Sequence, residues 1–448
     1  MIAIHASQAL LPSGWARNVR ITVSAAGRIA ETQTDVPPRP GDEGYSVVIP
    51  GLPNVHSHAF QRAMAGQAER RGPGSDSFWS WREAMYRFAL SMTPAQVEAV
   101  AAQLYVEMLE AGFTRVAEFH YLHHAPDGSA YEDVGEMAAR IAAAAQTTGI
   151  GLTLLPVFYA RSGFGGAPPH PGQRRFVSTL DGYARLLARC EELAAQVPGG
   201  CVGIAPHSLR AVTPDELDAI VGLSGTAPVH IHISEQRREV RECLAWSGRR
   251  PVAWLLANQA VDERWCLIHA THMTQEEARA VAASGAVVGL CPLTEANLGD
   301  GTFAAPAFLA EGGRIGIGTD SNILVGVPDE LRQLEYSQRL QRRRRNVMAA
   351  PGQSTGRALF DWALAGGAAA TRAPAGLSVG EPADFVSLRP RYDLPVASDR
   401  LLDAWIFAGG AAIDSVWVHG RQQVSGGRHR LRRQVRRAFA ASMHALLS

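Results

Sequence analysis

Eight short apolar runs recur along the chain, and nearly every one ends in a side chain capable of chemistry. They read YSVVIPGLPNVH, TRVAEFH, GLTLLPVFY, CVGIAPH, PVHIHIS, RWCLIHA, AVVGLCP and RIGIGTD. Between them lie longer stretches rich in Ala, Leu and Glu, as expected of helices. A strand that is apolar along its whole length is buried on both faces, which is the condition of a parallel strand covered by helices. Eight strand–helix units predict an α/β fold, a TIM-like (β/α)8 barrel. A doubly wound open sheet is the competing architecture, and the ends of the runs favour the barrel. They carry His56 and His58, His120, Tyr159, His207, His232, His269 and Asp320. Catalytic residues of such a barrel sit at the C-terminal ends of its strands. Histidine at five of eight ends, from only 15 in the chain, with aspartate at the last, exceeds what polar loops produce by chance.

The flanks read differently. Residues 17–50 hold two β-like runs around Ala-Gly in RNVRITVSAAGRIAE, then a Pro/Gly-rich stretch, which predicts a hairpin and a linker. Residues 376–427 look similar. The two ends are expected to meet in a small β-sandwich, residues 1–49 and 376–448 with a C-terminal helix, beside a catalytic barrel of residues 50–375. A chain of 448 residues, 46% hydrophobic and 19% charged, can fill a large barrel and an accessory unit. Its net charge of +1 supplies no drive toward nucleic acid or an anionic membrane. The basic runs RLQRRRR (339–345) and RHRLRRQVRR (428–437) lack interleaved aromatics and read as solvated helix faces or subunit contacts. No apolar run is long enough to span a bilayer. Five scattered cysteines without a CxxC pair, and an N-terminus without a basic leader, predict a cytoplasmic protein with reduced thiols. The aromatic stretch FWSWREAMYRF reads either as a lid over the site or as a dimer surface.

His56 and His58 alternate along a strand, so both rings point the same way. With His232 and Asp320 they are the expected ligands of one divalent metal, zinc or another first-row ion. Such an ion lowers the pKa of a coordinated water toward neutrality, and Asp320 could both touch the ion and take a proton. Glu235 follows His232 at i+3 and can lean over the site to shuttle a proton to a leaving nitrogen. Its ordinary reading is a solvated loop glutamate. His269 can polarise the group under attack; its ordinary reading is a satisfied core histidine. His120 and His272 are read as supporting or structural residues. The chain contains no lysine, which excludes a Schiff base through lysine and a carboxylated lysine bridging two metals.

HxH after strand one, His on strands five and six, and Asp on strand eight resemble the amidohydrolase superfamily. The resemblance spans the whole chain, including the split β unit. Many members bridge two metals with a carboxylated lysine on strand four. Here strand four ends in APHSLR, and the absence of lysine points to the mononuclear deaminase branch, whose HxxE is matched by His232 and Glu235. Longer stretches, LPNVHSHAFQRAMAG, PHSLRAV, HISEQ, PLTEANLGDG, GTDSN and ELRQLEYSQRLQRRRRNV, are similar to the formimidoylglutamate deiminase family.

That resemblance implies hydrolysis of N-formimino-L-glutamate to N-formyl-L-glutamate and ammonia, a step of histidine degradation. It implies Glu235, His269 and Asp320 as catalytic residues and Gln61, Arg82, Tyr121, His207 and Arg210 as substrate contacts, and it implies a homodimer. The chemistry of the residues agrees, because arginine forks match the two carboxylates of such a substrate. Arg82 alone would read as a solvated helix residue, and Tyr121 as packing. Glu295 and Asn297 are expected to shape the pocket without direct contact. Two alternatives stand beside this reading. Another mononuclear deaminase, acting on guanine, adenosine or an amino-triazine, would need stacking rings and amide readers more than paired arginines. A silent barrel serving as a scaffold would have no need of bound metal.

Overall fold

In the computed structural model, which describes residues 2–71, 74, 76–391 and 398–448, the eight runs close into one parallel barrel. Its strands are β1 (Leu52–Ser57), β2 (Phe113–His120), β3 (Gly151–Phe158), β4 (the short pieces Cys201–Val202 and Ala205–Pro206), β5 (Val229–Ile233), β6 (Trp265–His269), β7 (Val287–Leu290) and β8 (Arg314–Ile317). β1 to β4 pair in parallel order, and so do β5 to β8. Single bridges close the two seams: Ile204 to Val229 and Ser208 to His232 join β4 to β5, and Ser57 to Asp320 joins β8 back to β1. β2, β3, β5, β6 and β7 are buried at every position, as continuous apolar runs demand.

Helices cover the barrel, and several start where their sequence says they should. Pro94–Glu110, Pro214–Gly222 and Gln275–Ser284 are each capped by a threonine whose bond is returned by Gln96, Glu216 or Glu277.

The first apolar run holds two strands rather than one. Glu43–Pro50 belongs to the sheet made by the chain ends, and β1 begins at Leu52. Gly51 makes the switch where the backbone runs against Thr114: a Cβ there would lie 2.1 Å from Thr114 Cγ2. Periodicity cannot register such a switch, because the chain is buried on both sides of it, from Val47 to Ser57.

The terminal sheet follows a single hydrogen-bonded path of eight strands. From one edge to the other these are Arg428–His429, Arg421–Ser425, Ala411–Val418, Phe385–Pro390, Glu43–Pro50, Ile2–Leu11, Gly14–Val23 and Ile29–Gln33. Ile4, Val19, Ile21, Val48, Phe385 and Trp417 pack together on one side of it. Leu10, Val47, Ile49, Val386 and Leu388 join the main core. The C-terminal helix Arg432–Leu447 packs on helix Pro94–Glu110, with Arg432 3.3 Å from Glu110. Part of the second basic run therefore serves docking within the chain. Among the described residues, no helix is long and apolar enough to cross a membrane, and all five cysteines are free.

Candidate active site

β1 presents His56 from within the strand and His58 one residue past its end. His56 Nε2 lies 3.1 Å from His58 Nε2 and 3.0 Å from His232 Nε2. Asp320 Oδ1 lies 3.2 Å from His58 Nε2 and 3.5 Å from His56 Nε2. One atom from each of the four lies within 4.8 Å of every other. An ion with bonds of about 2.0–2.1 Å holds tetrahedral ligands about 3.3 Å apart, so the residues fit a first-row divalent metal. The outer ring nitrogens are fixed by carbonyls: His58 Nδ1 is 2.9 Å from Phe119 O, and His232 Nδ1 is 2.9 Å from His207 O. A ring that donates Nδ1–H to a carbonyl turns its Nε2 lone pair to the centre. Burial, then the neighbouring rings, hold His56 and His232 well below the usual imidazole range; burial also lowers His58. Neutral lone pairs and a carboxylate oxygen thus converge on one point, and a cation satisfies them.

The backbone at the mouth is bent into the left-handed region at Ser234, His269, Ala270, Asp320 and Asn322, with φ between 44° and 67°. Strain of this kind persists only where surroundings enforce it, and it gathers at functional sites. Here Asn322 enforces part of it. Its side-chain amide donates to the carbonyls of Asp320 at 2.8 Å and His58 at 3.1 Å, and its Oδ1 accepts from Thr319 Oγ1 at 2.5 Å.

His269 and Glu235 stand beside the ligand cluster. His269 Nδ1 is 3.2 Å from Glu295 Oε1, and its Nε2 is 3.7 Å from Asp320 Oδ2 and 3.9 Å from Glu235 Oε1. Burial opposes a charge on His269, but Glu235, Glu295 and Asp320 outweigh it and raise its pKa to about 10. Burial raises Glu235 to about 7, against the pull of His269 and Arg210. Glu235 is positioned from behind: the Glu239 carboxylate accepts the Ser234 N–H at 3.1 Å and the Glu235 N–H at 3.0 Å.

The barrel mouth opens into a cleft. Gln61, Arg82, Tyr121, His207 and Arg210 all line it, together with His58, His232, Glu235, His269 and Asp320. Gln61 Nε2 donates to Tyr121 OH at 2.8 Å, which leaves the buried Gln61 Oε1 without a partner. The Nε atoms of Arg82 and Arg210 are likewise buried and unpartnered. The nearest carboxylate oxygen to Arg210, on Glu235, is 4.0 Å away. The aromatic stretch forms helix Phe78–Ser91 and walls the cleft with Phe78, Trp79, Trp81, Met85 and Tyr86.

Of the remaining strand-end residues, Tyr159 lines the cleft and His120 does not. His120 is buried beside His123, and the next residue, Tyr121, faces the cleft instead. His272 and Asn297 are not part of the lining; Asn297 bonds Glu69 at 3.0 Å. Glu295 reaches the site only through His269. Sequence reasoning singled out the aromatic stretch as a lid or a dimer surface but did not name Trp79 and Tyr86, although Trp79, Arg82 and Tyr86 lie at i, i+3 and i+7, the spacing of one helix face. It also passed over Arg238 and the Glu239 cap, which carry no signature of their own.

The amidohydrolase family profile matches residues 47–422, and the chain belongs to that family. A profile described as the N-terminal domain of formimidoylglutamate deiminase HutF matches residues 1–46. Over 453 aligned residues, all of both proteins, the chain is 51% identical to formimidoylglutamate deiminase of Pseudomonas aeruginosa strain PAO1. It is 28% identical over 387 residues to a 5-methylthioadenosine/S-adenosylhomocysteine deaminase of Nitratidesulfovibrio vulgaris, covering 83% of this chain and 80% of that one. Among solved structures, an amidohydrolase from Brucella melitensis matches with a TM-score of 0.98 and 60% identity over the whole of both chains. An adenosine deaminase from Xanthomonas campestris, solved with bound zinc, matches all of this chain and 97% of that one with a TM-score of 0.81 at 20% identity, a likeness of fold alone.

Proposed function

We propose that the protein hydrolyses N-formimino-L-glutamate to N-formyl-L-glutamate and ammonia, using one zinc ion held by His56, His58, His232 and Asp320. The observation that carries this reading is the pair Arg82 and Arg210, which line the cleft beside the ligand cluster and whose buried Nε atoms have no partner within the protein. Full-length identity to a formimidoylglutamate deiminase supports it. Two guanidinium groups suit two carboxylates. A flat, uncharged purine would leave both without a carboxylate, which is costly for the buried Arg210.

A bound divalent ion supplies Lewis acidity and a water made acidic near neutral pH. The chain's own residues do the rest. Arg82 and Arg210 take the carboxylates, while His207 and the Gln61–Tyr121 pair orient the formimino group. Glu235 accepts a proton from the attacking water as its oxygen adds to the formimino carbon. His269, held at Nδ1 by Glu295, directs Nε2 at the group under attack and polarises it. Glu235 then returns its proton to the nitrogen of the protonated formimino group, the C–N bond breaks to release ammonia, and Asp320 takes the remaining hydroxyl proton as the C=O forms. The aromatic wall keeps bulk water from the reacting atoms.

The test is ammonia release by zinc-loaded protein from formiminoglutamate, guanine and adenosine. Release from a purine and none from formiminoglutamate rejects the proposal. Five free thiols fit a reducing cytoplasm. A homodimer, implied by family resemblance, is tested by sedimentation.

A further inference from the structure

Three guanidinium groups gather round one indole. The guanidinium carbon of Arg238 lies 4.3 Å from the Trp79 ring centroid, that of Arg82 4.6 Å and that of Arg210 6.0 Å. Arg82 and Arg210 already have a part in the proposed reaction, and Arg238 does not. Arg238 stands in the first turn of helix Arg237–Ser247, three residues after Glu235, and lines the cleft together with Glu242. Its side chain is 53% exposed, and its Nε donates to Glu242 Oε1 at 2.6 Å.

We propose that Arg238 is a specificity-determining residue that joins Arg82 on the carboxylate at the solvent end of a dicarboxylate substrate, with Glu242 as its partner only while the cleft is empty. This rests on the reading of the site as one for formiminoglutamate. The argument starts from the substrate's shape. Its formimino carbon must reach the ligand cluster, so the α-carboxylate stays deep and the side-chain carboxylate points outward. The cleft grades its cations along the same line: Arg210 is buried beside Glu235, Arg82 is half-buried, and Arg238 is at the mouth.

Trp79 gives the three groups a common support. A guanidinium held against an aromatic ring by its face keeps its N–H edge free for a carboxylate. The present partner of Arg238 is easily exchanged, because an exposed i,i+4 ion pair contributes little. A substrate carboxylate offered inside the cleft, less screened by solvent, competes well with Glu242. Arg238 turned to the substrate also spans the mouth between helix Phe78–Ser91 and its own helix, so the same contact selects the substrate and covers it.

If Arg238 and Glu242 were merely a solvated helix pair, changing either would leave the kinetics alone. The experiment is steady-state ammonia release by Arg238→Gln and Glu242→Gln, with N-formiminoglutamate and with N-formiminoglutamine, whose outer end is a neutral amide. Arg238→Gln is expected to raise KM for the dicarboxylate about tenfold with kcat changed less than about twofold, the pattern of lost ground-state binding. For the amide its KM should equal that of the unaltered enzyme. Glu242→Gln is expected to lower KM for the dicarboxylate about two- to threefold, by freeing Arg238. An Arg238→Gln KM for the dicarboxylate within about twofold of the unaltered enzyme's, or an equal rise for both substrates, overturns the inference. Failure of the unaltered enzyme to act on formiminoglutamate at all is a separate result, and it removes the parent reading and this one together.

Discussion

Asp320 and His56 are joined twice. The Asp320 main-chain N–H donates to the His56 carbonyl at 3.0 Å, and the Asp320 carboxylate lies 3.5 Å from His56 Nε2. The first contact closes the barrel between β8 and β1, and the second closes the ligand set. The His58 N–H returns the bond to the Asp320 carbonyl at 3.0 Å, and Asn54 bonds Thr319 at 2.7 Å just below. One seam therefore holds both the sheet and the ion site.

Because they share that seam, ion binding and barrel stability are linked. Stripping the ion with a chelator is expected to abolish ammonia release and to lower the thermal midpoint by several degrees, and zinc should restore both. An ion present at a thousand times its Kd stabilises the folded state by about 4 kcal/mol. Calorimetry of protein shown by atomic absorption to be metal-free is the check. An unshifted melting curve would show that the seam holds without the ion.

Glu235→Gln keeps the shape of the side chain and removes its ability to carry a proton. Turnover is expected to fall about 10²- to 10⁴-fold with metal content unchanged. Near-normal turnover would take Glu235 off the proton path. In the unaltered enzyme kcat/KM should fall on the acid side of about pH 7, where burial has placed the Glu235 pKa and the protonated acid can no longer accept a proton.

Arg210 is buried with its Nε unpaired, so its removal tests substrate charge. Arg210→Met is expected to cost about 3 kcal/mol in kcat/KM for formiminoglutamate, or about 10²-fold, mostly through KM. An equal kcat/KM for variant and parent would place the carboxylates elsewhere.

His230 lies inside the barrel, fully buried, with its Nε2 2.8 Å from the Ala370 carbonyl. Burial pushes its pKa down to about 4 from the ordinary 6.5. Between those values the unfolded chain binds a proton that the native chain refuses. Stability from this group is therefore whole above pH 6.5 and drains away as pH falls toward 4, by about 3 kcal/mol at the end. Urea unfolding of metal-free protein at pH 7 and pH 4.5 should show a smaller difference for His230→Gln than for the parent. The same difference in both would assign the acid sensitivity to other groups.

The barrel and the identity of the ion-binding residues were legible in the sequence. Burial on both faces marks every position of a parallel strand, as in Trp265–His269 and Val287–Leu290, so the pattern survives without coordinates. Histidine and aspartate at strand ends are rare enough to stand out, and placing strands in one barrel brings their ends together. Tertiary structure alone decided the rest. The chain changes sheets at Gly51 because of the nearness of Thr114, and burial on both sides of it leaves no periodic mark of the change. The carbonyls of Phe119 and His207 orient the ligand rings, and a carbonyl has no sequence signature. The meeting of Trp79 with Arg238 depends on how two helices that follow different strands come to rest, which local residue preferences do not encode.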